Sequence, residues 1–310
     1  MTSVYETRKF DQRTCTDTDN AEFAAILRGD AVPDAGIFDN RIAGVMDDFE
    51  ALDPIVSQRW HSQDLELDLA VGRIREEIER RKRLLGDAYP FDWNGNELKY
   101  RASATHVYEF CLATCCAPTI TSGKFVRLPR TFERVTAGLV CVFLGHKSEA
   151  FHTGWPRDKS AKFKPAMITL SKLTGEWNWS PQPDLPDEPS DDKDAGVDFV
   201  TWKSSPDGRL GQLFILAQCA CGDDWEGKLR DLNLEKLGKW FNPMTYVPPV
   251  RAFVTPFFLS DGNLINVQRE AGLTFDRARL SVVAEAHSDT AKGALVRQLR
   301  TLSEMVINAN

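Results

Sequence analysis

The chain has 310 residues, 42% hydrophobic and 27% charged, with a formal net charge of −7. This length allows one large domain or two modest ones, and the apolar content is that of a folded protein. The acidic balance is not that of a general nucleic-acid coat protein, although a basic groove can coexist with an acidic whole.

No run of about eighteen apolar residues occurs, so a membrane span is excluded. The opening "MTSVYETRKFDQRTCTD" lacks the apolar core of a secretory leader, and a cytoplasmic protein is expected. The seven cysteines suit a reducing compartment. Cys111, Cys115 and Cys116 have no histidine or second cysteine pair at zinc-finger spacing and read as small buried hydrophobes on a helix.

In chain order, residues 1–125 read as a mainly helical region. "NAEFAAILRGD" and "RIAGVMDDFEAL" have helical spacing. The strongest pattern runs from about 62 to 85, with Leu67, Val71, Ile74 and Ile78 on one face and Gly86 as the stop. The basic run Arg80, Arg81, Lys82, Arg83 suits a solvated last turn. "YPFDWNGNELKY" reads as a hairpin about an Asn-Gly turn, and 104–117 as a helix with Val107, Phe110 and Cys111 inward. "TSGKF" lacks the upstream glycine and the following Ser or Thr of a phosphate loop.

From 130, Phe132, Val135, Thr136, Leu139, Val140 and Phe143 follow helical spacing, bordered by Glu133. A second helix spans about 161–175. The Pro- and Asp-rich stretch "WNWSPQPDLPDEPSDDKDAG" reads as a solvated loop. Strands are predicted at 197–203 and 210–220 about a Pro-Asp-Gly turn, then a helix from about 223 to 240. "RAFVTPFFL" and "RARLSVVAEA" read as strands, and an amphipathic helix carrying Leu295, Leu299, Leu302 and Val306 closes the chain. This alternation makes residues 126–310 a mixed α/β layered domain.

Polar residues interrupt this pattern. Asp198 breaks the apolar run "GVDFV", and Gln218 sits near the end of "LFILAQC". Pairing through the intervening turn puts Asp198 opposite a residue between 215 and 219, a range that includes Gln218. Lys228, three after Trp225 and four before Leu232, falls on the apolar side of the predicted helix, where an ammonium needs a partner. A carboxylate and a strand-end carbonyl suit a hard divalent cation, and a lysine beside it can position water or stabilise developing charge. Lys203 is the rival lysine. Asp207 belongs to the turn. His146 and His152 lie near the first core helix without an assignable partner.

These residues resemble the PD-(D/E)XK, or restriction-endonuclease-like, superfamily over roughly 130–290. Asp198 matches the first acid and Gln218 the second position, in the variant that carries Gln. Cys219 is the intervening residue, and Glu133 matches the upstream helical acid. Ala220 stands where the lysine belongs, and Lys228 matches members that move it to the next helix. Gln218, Gly222, Trp225 and Lys228 also resemble a Gln-x-x-x-Gly-x-x-Trp-x-x-Lys arrangement in bacterial proteins of this type.

The resemblance implies a restriction-endonuclease-like mixed sheet flanked by helices. It implies an Mg²⁺- or Mn²⁺-dependent endonuclease acting on DNA, in a bacterial defence or restriction setting. Asp198, Gln218 and Cys219 would hold the metal, and Glu133 and Lys228 would complete the catalytic set. Cutting both strands favours a homodimer, and a defence complex would supply a protein partner. The alternative is the same fold with its chemistry lost, binding nucleic acid or protein. The catalytic reading requires Asp198, Gln218 and Lys228 to meet around one ion-sized space.

Overall fold

The computed structural model describes residues 4–29, 32–33, 56–94, 97–154, 162–185, 196–290 and 293–309. The stretch 41–52, expected to be helical, lies outside them. The chain divides into two compact units, the first formed by 1–118, 258–263 and 284–310, the second by 119–257 and 264–283. The first break falls close to the expected 125/126 boundary. Beyond it the chain returns twice to the first unit, so 126–310 is not one continuous domain.

In the first unit, helices α1 (Val4–Arg28) and α2 (Val56–Leu85) accompany an antiparallel sheet in the order β1-β3-β2. Its strands are β1 (Val32–Pro33), β2 (Phe91–Trp93) and β3 (Glu97–Tyr100). Helix α3 (Val107–Cys115) packs against the closing helix, Gly293–Ile307. Val107, Phe110 and Cys111 on α3 and Leu299, Leu302 and Val306 on the closing helix are buried, as the spacing predicts, whereas Leu295, in the first turn of that helix, is exposed. Arg81 breaks the expectation of a solvated basic turn. It is fully buried, ion-paired to Asp19, Glu22 and Glu77, and lies over the Phe258 ring at 4.0 Å. Such partners are what a buried guanidinium requires.

The second unit is mixed α/β around a five-stranded sheet in the order β4-β5-β6-β7-β8. Helix α4 (Arg127–Leu144) leads into β4 (Ser148–His152), followed by α5 (Phe163–Thr174), β5 (Phe199–Lys203) and β6 (Leu213–Cys219). These three strands form an antiparallel meander. A crossover through the short helix α6 (Leu234–Gly238) leads to β7 (Val250–Val254), parallel to β6. Then come α7 (Asp261–Ala271), β8 (Leu273–Phe275), parallel to β7, α8 (Arg277–Glu285) and the closing helix α9.

Alternation along the strands separates two faces. Val200, Trp202, Phe214 and Leu216 join Phe163, Met167, Leu170, Leu237 and Trp240 in one buried cluster. Helix α4 packs on β4 and β5, and its Thr136 Oγ1 lies 3.7 Å from Cys219 Sγ on the opposite face.

The fold departs from the sequence reading in several places. The helix expected over 223–240 is instead a 3₁₀ turn, Trp225–Lys228, followed by α6. Asn233 takes an extended backbone and its side chain caps the N–H groups of Glu235 and Lys236, which starts a new helix. "RARLSVVAEA" is helical, not a strand. Asp276 Oδ1 accepts the Arg279 N–H at 3.1 Å, a helix-start bond that outweighs the β-branched Val282-Val283 pair. The loop after α5 is not wholly solvated, because Trp177 is buried among Phe214 and Phe241. Strand β4, α7 and β8 were not expected.

Candidate functional site

In the second unit, β4 ends, β5 begins and β6 and β7 end on the same side of the sheet. His152 closes β4, Asp198 precedes β5, and Cys219 closes β6. This is the edge where open α/β sheets carry their ligands.

The ladder is irregular at Asp198. Ala217 is the register partner of Phe199, yet its carbonyl also accepts the Asp198 N–H at 2.9 Å. The Asp198 carbonyl in turn accepts from both Thr153 and Gly154 N–H at 2.8 Å. Two residues thus oppose one on each side, a bulge that re-aims a side chain. The Asp198 Oδ2 accepts the Cys219 N–H at 2.7 Å, which fixes the carboxylate.

Glu133, inside α4, meets His152 at Oε2···Nε2 2.8 Å, and both side chains are about six-sevenths buried, at 15% and 14% exposure. A Cβ on Gly154 would stand 3.0 Å from Glu133 Oε2, 3.1 Å from Asp198 Oδ1 and 3.3 Å from His152 Nε2. One point therefore gathers two carboxylates and an imidazole from three separate elements. Burial, and then the charges of Asp198 and Glu133, push the Cys219 thiol well above its ordinary range. It stays protonated, which argues against a thiolate nucleophile there.

Asp198 and Glu133 are brought together beside Gly154. Gln218 is not. It shares the strand face of Phe214 and Leu216, away from α4, where its Nε2 donates to Asp231 Oδ2 at 3.3 Å. Its Oε1 is buried with no hydrogen-bond partner among the described residues. The bulge explains the separation, because it turns Asp198 out of the alternation that would have put both on one face. Lys228 does not reach Asp198 either. Its Nζ pairs with Asp224 at 3.2 Å and the side chain is 37% exposed. The broken helix removes the inward stripe that would have aimed it. Lys203 caps α4 by donating to the Leu144 carbonyl at 2.6 Å. Ala220 is buried.

His152 is the site residue that sequence reading left unassigned, and Gly154 the one it missed. The signal was a polar residue closing the strand "SEAFH" two positions before a glycine.

Among the described residues, no group of three or more His, Cys, Asp and Glu side chains stands ready as a metal cage. Glu133 and Asp198 are the two carboxylates that approach Gly154; Glu133 Oε2 is engaged by His152 and Asp198 Oδ2 by the Cys219 amide. Comparison with models of known families, with curated proteins and with solved structures finds no match. Among the described residues, no helix is long and apolar enough to cross a membrane.

Proposed function

We propose that the chain is a divalent-cation-dependent phosphodiester hydrolase acting on DNA, built in the restriction-endonuclease-like manner with a rearranged site. The observation that carries this reading is the convergence of Glu133 Oε2, Asp198 Oδ1 and His152 Nε2 on one point at the strand-end edge of the sheet. The mixed sheet flanked by helices supports it, being what the resemblance implies.

Asp198 and Glu133 would hold the cation, which supplies polarisation of the scissile phosphate and an acidified water. Asp198 is oriented for this by the Cys219 amide, and Glu133 by His152. Exposed Arg127 and Arg130 on α4 offer cations to a phosphate backbone. Gln218, Lys228 and the metal role of Cys219 are left out of the set, because Gln218 and Lys228 turn to Asp231 and Asp224.

Plasmid DNA incubated with Mg²⁺ or Mn²⁺ tests this. Wild type should cut, and Asp198→Ala and Glu133→Gln should each be slower by at least about a hundredfold. Equal cutting by all three would refute the site.

The buried Ala220 in the lysine's place and the Lys228–Asp224 pair favour a second reading, a module that binds DNA without cutting it. No cleavage by wild type, with retardation of DNA in a gel, would support that reading over the first.

A further inference from the structure

In the first unit, His106 immediately precedes α3 with a left-handed backbone, φ 59°, a conformation that a β-carbon strains. Its side chain is only 5% exposed. Neither ring nitrogen has a hydrogen-bond partner among the described residues, and a buried polar group left in that state needs an explanation. Glu109 is the nearest acid, with Oε1 3.5 Å from His106 Nδ1. That carboxylate is already held by the Ser103 N–H at 2.6 Å, the Ser103 hydroxyl at 2.8 Å and the Tyr100 hydroxyl at 3.5 Å.

The other charges near the ring come from α9, which packs on α3. Arg300 disfavours a proton on the imidazole, and Glu304 favours one. Burial outweighs both acids and holds His106 below the usual 6.5. Burial also pushes the Tyr100 hydroxyl up, so that it stays neutral. From α1 the neighbours are Phe23 and Ile26, which carry no charge. A neutral ring is tolerated here, but a charged one needs a partner. A cavity of about 280 Å³ adjoins it, walled by Phe23, Ile26 and Ile307, with the exposed Arg300 and Glu304 on its α9 side.

We propose that His106 is an acid-operated latch on the packing of α3 against α9. The neutral ring stays sealed and the two helices stay closed. On taking a proton it swings into the cavity toward the Glu304 carboxylate, the strained backbone relaxes, and α9 loosens from α3. The sign follows from linkage. A histidine depressed in the closed form binds its proton better once opened. The closed form is therefore fully favoured above about 6.5 and loses ground as pH falls from there through the closed-form value. The latch belongs to the first unit and does not rest on the hydrolase reading.

Backbone amide hydrogen exchange of the full chain tests this. It is read by mass spectrometry between about pH 5 and 7.5, where a histidine can titrate, and corrected for the intrinsic pH dependence of exchange. In wild type, opening of α3 and α9 should rise by up to about tenfold per pH unit below about 6.5, the effect of one proton. His106→Asn tolerates the left-handed backbone and cannot titrate, so that rise should be lost. Glu304→Gln alters an exposed side chain. It should leave exchange at neutral pH unchanged and diminish the acid response. If circular dichroism shows His106→Asn unfolded, Glu304→Gln decides. A wild type indifferent to pH over this window, or an undiminished acid response in either folded variant, overturns the latch.

Discussion

At the scale of single residues, the Cys219 amide holds Asp198 Oδ2 at 2.7 Å, whereas Gln218 donates to Asp231 at 3.3 Å. Asp198 and Glu133 were legible because a carboxylate interrupting an apolar strand, and another bordering an apolar helical stripe, stand out in any pattern. Gln218 stood out for the same reason, but pattern gives face only while alternation holds. The extra residue at Asp198 breaks that parity, and nothing local in "GVDFV" announces it. The consequence is testable. Gln218→Met replaces a buried, half-satisfied amide by an apolar chain of similar size, so stability should hold within about 1.5 kcal/mol or rise, with cleavage unchanged. Urea unfolding and the plasmid assay read the two effects. Lys228→Ala removes only a surface ion pair and should shift stability by less than about 1 kcal/mol. A hundredfold loss of cleavage in either variant would restore the site inferred from sequence.

At the scale of elements, the α1–α2 pair holds the largest concentration of buried charge among the described residues. Arg81 contacts Asp19, Glu22 and Glu77, and Glu22 also accepts from the Tyr89 and Tyr108 hydroxyls at 2.6 and 2.7 Å. Arg81→Ala would strand Glu22, whose side chain is fully buried, and should cost about 3–5 kcal/mol by chemical denaturation. Burial pushes the Glu77 carboxyl up, but the Arg80 hydrogen bond and the Arg81 and Arg80 charges outweigh it and hold it below the usual 4.5. A depressed carboxyl contributes stability above its unfolded value and loses it as pH falls through the folded one. Stability measured below pH 4.5 should therefore decline less steeply in Glu77→Gln than in wild type. Helical elements were read well where an apolar stripe was long, as in α4 and α9. They were misread where a single cap decides, as at Asn233 and Asp276, because a cap is one hydrogen bond and leaves no periodic signal.

At the scale of the whole molecule, composition and alternation were enough to give a mixed α/β class with a helical first region. The later returns of the chain to the first unit depend on long-range packing that no local window contains. Leu302 on α9 is buried and α9 packs on α3, so Leu302→Ala should destabilise the first unit by about 2–5 kcal/mol. The proposed cation site, which the second unit builds, should keep its Mn²⁺ affinity. Thermal melting followed by circular dichroism and an Mn²⁺ titration separate the two effects.

The first unit recruits residues 258–263 and 284–310 as well as 1–118. On the ribosome, where a chain ordinarily matures from its leading end, α3 emerges early and must wait, with the face that packs on α9 bare, until α9 has been translated. The second unit, whose segments all lie between 119 and 283, has every part it needs before that moment. Maturation would thus run from the middle outward, and nascent chains halted before α9 would be the form most dependent on chaperones.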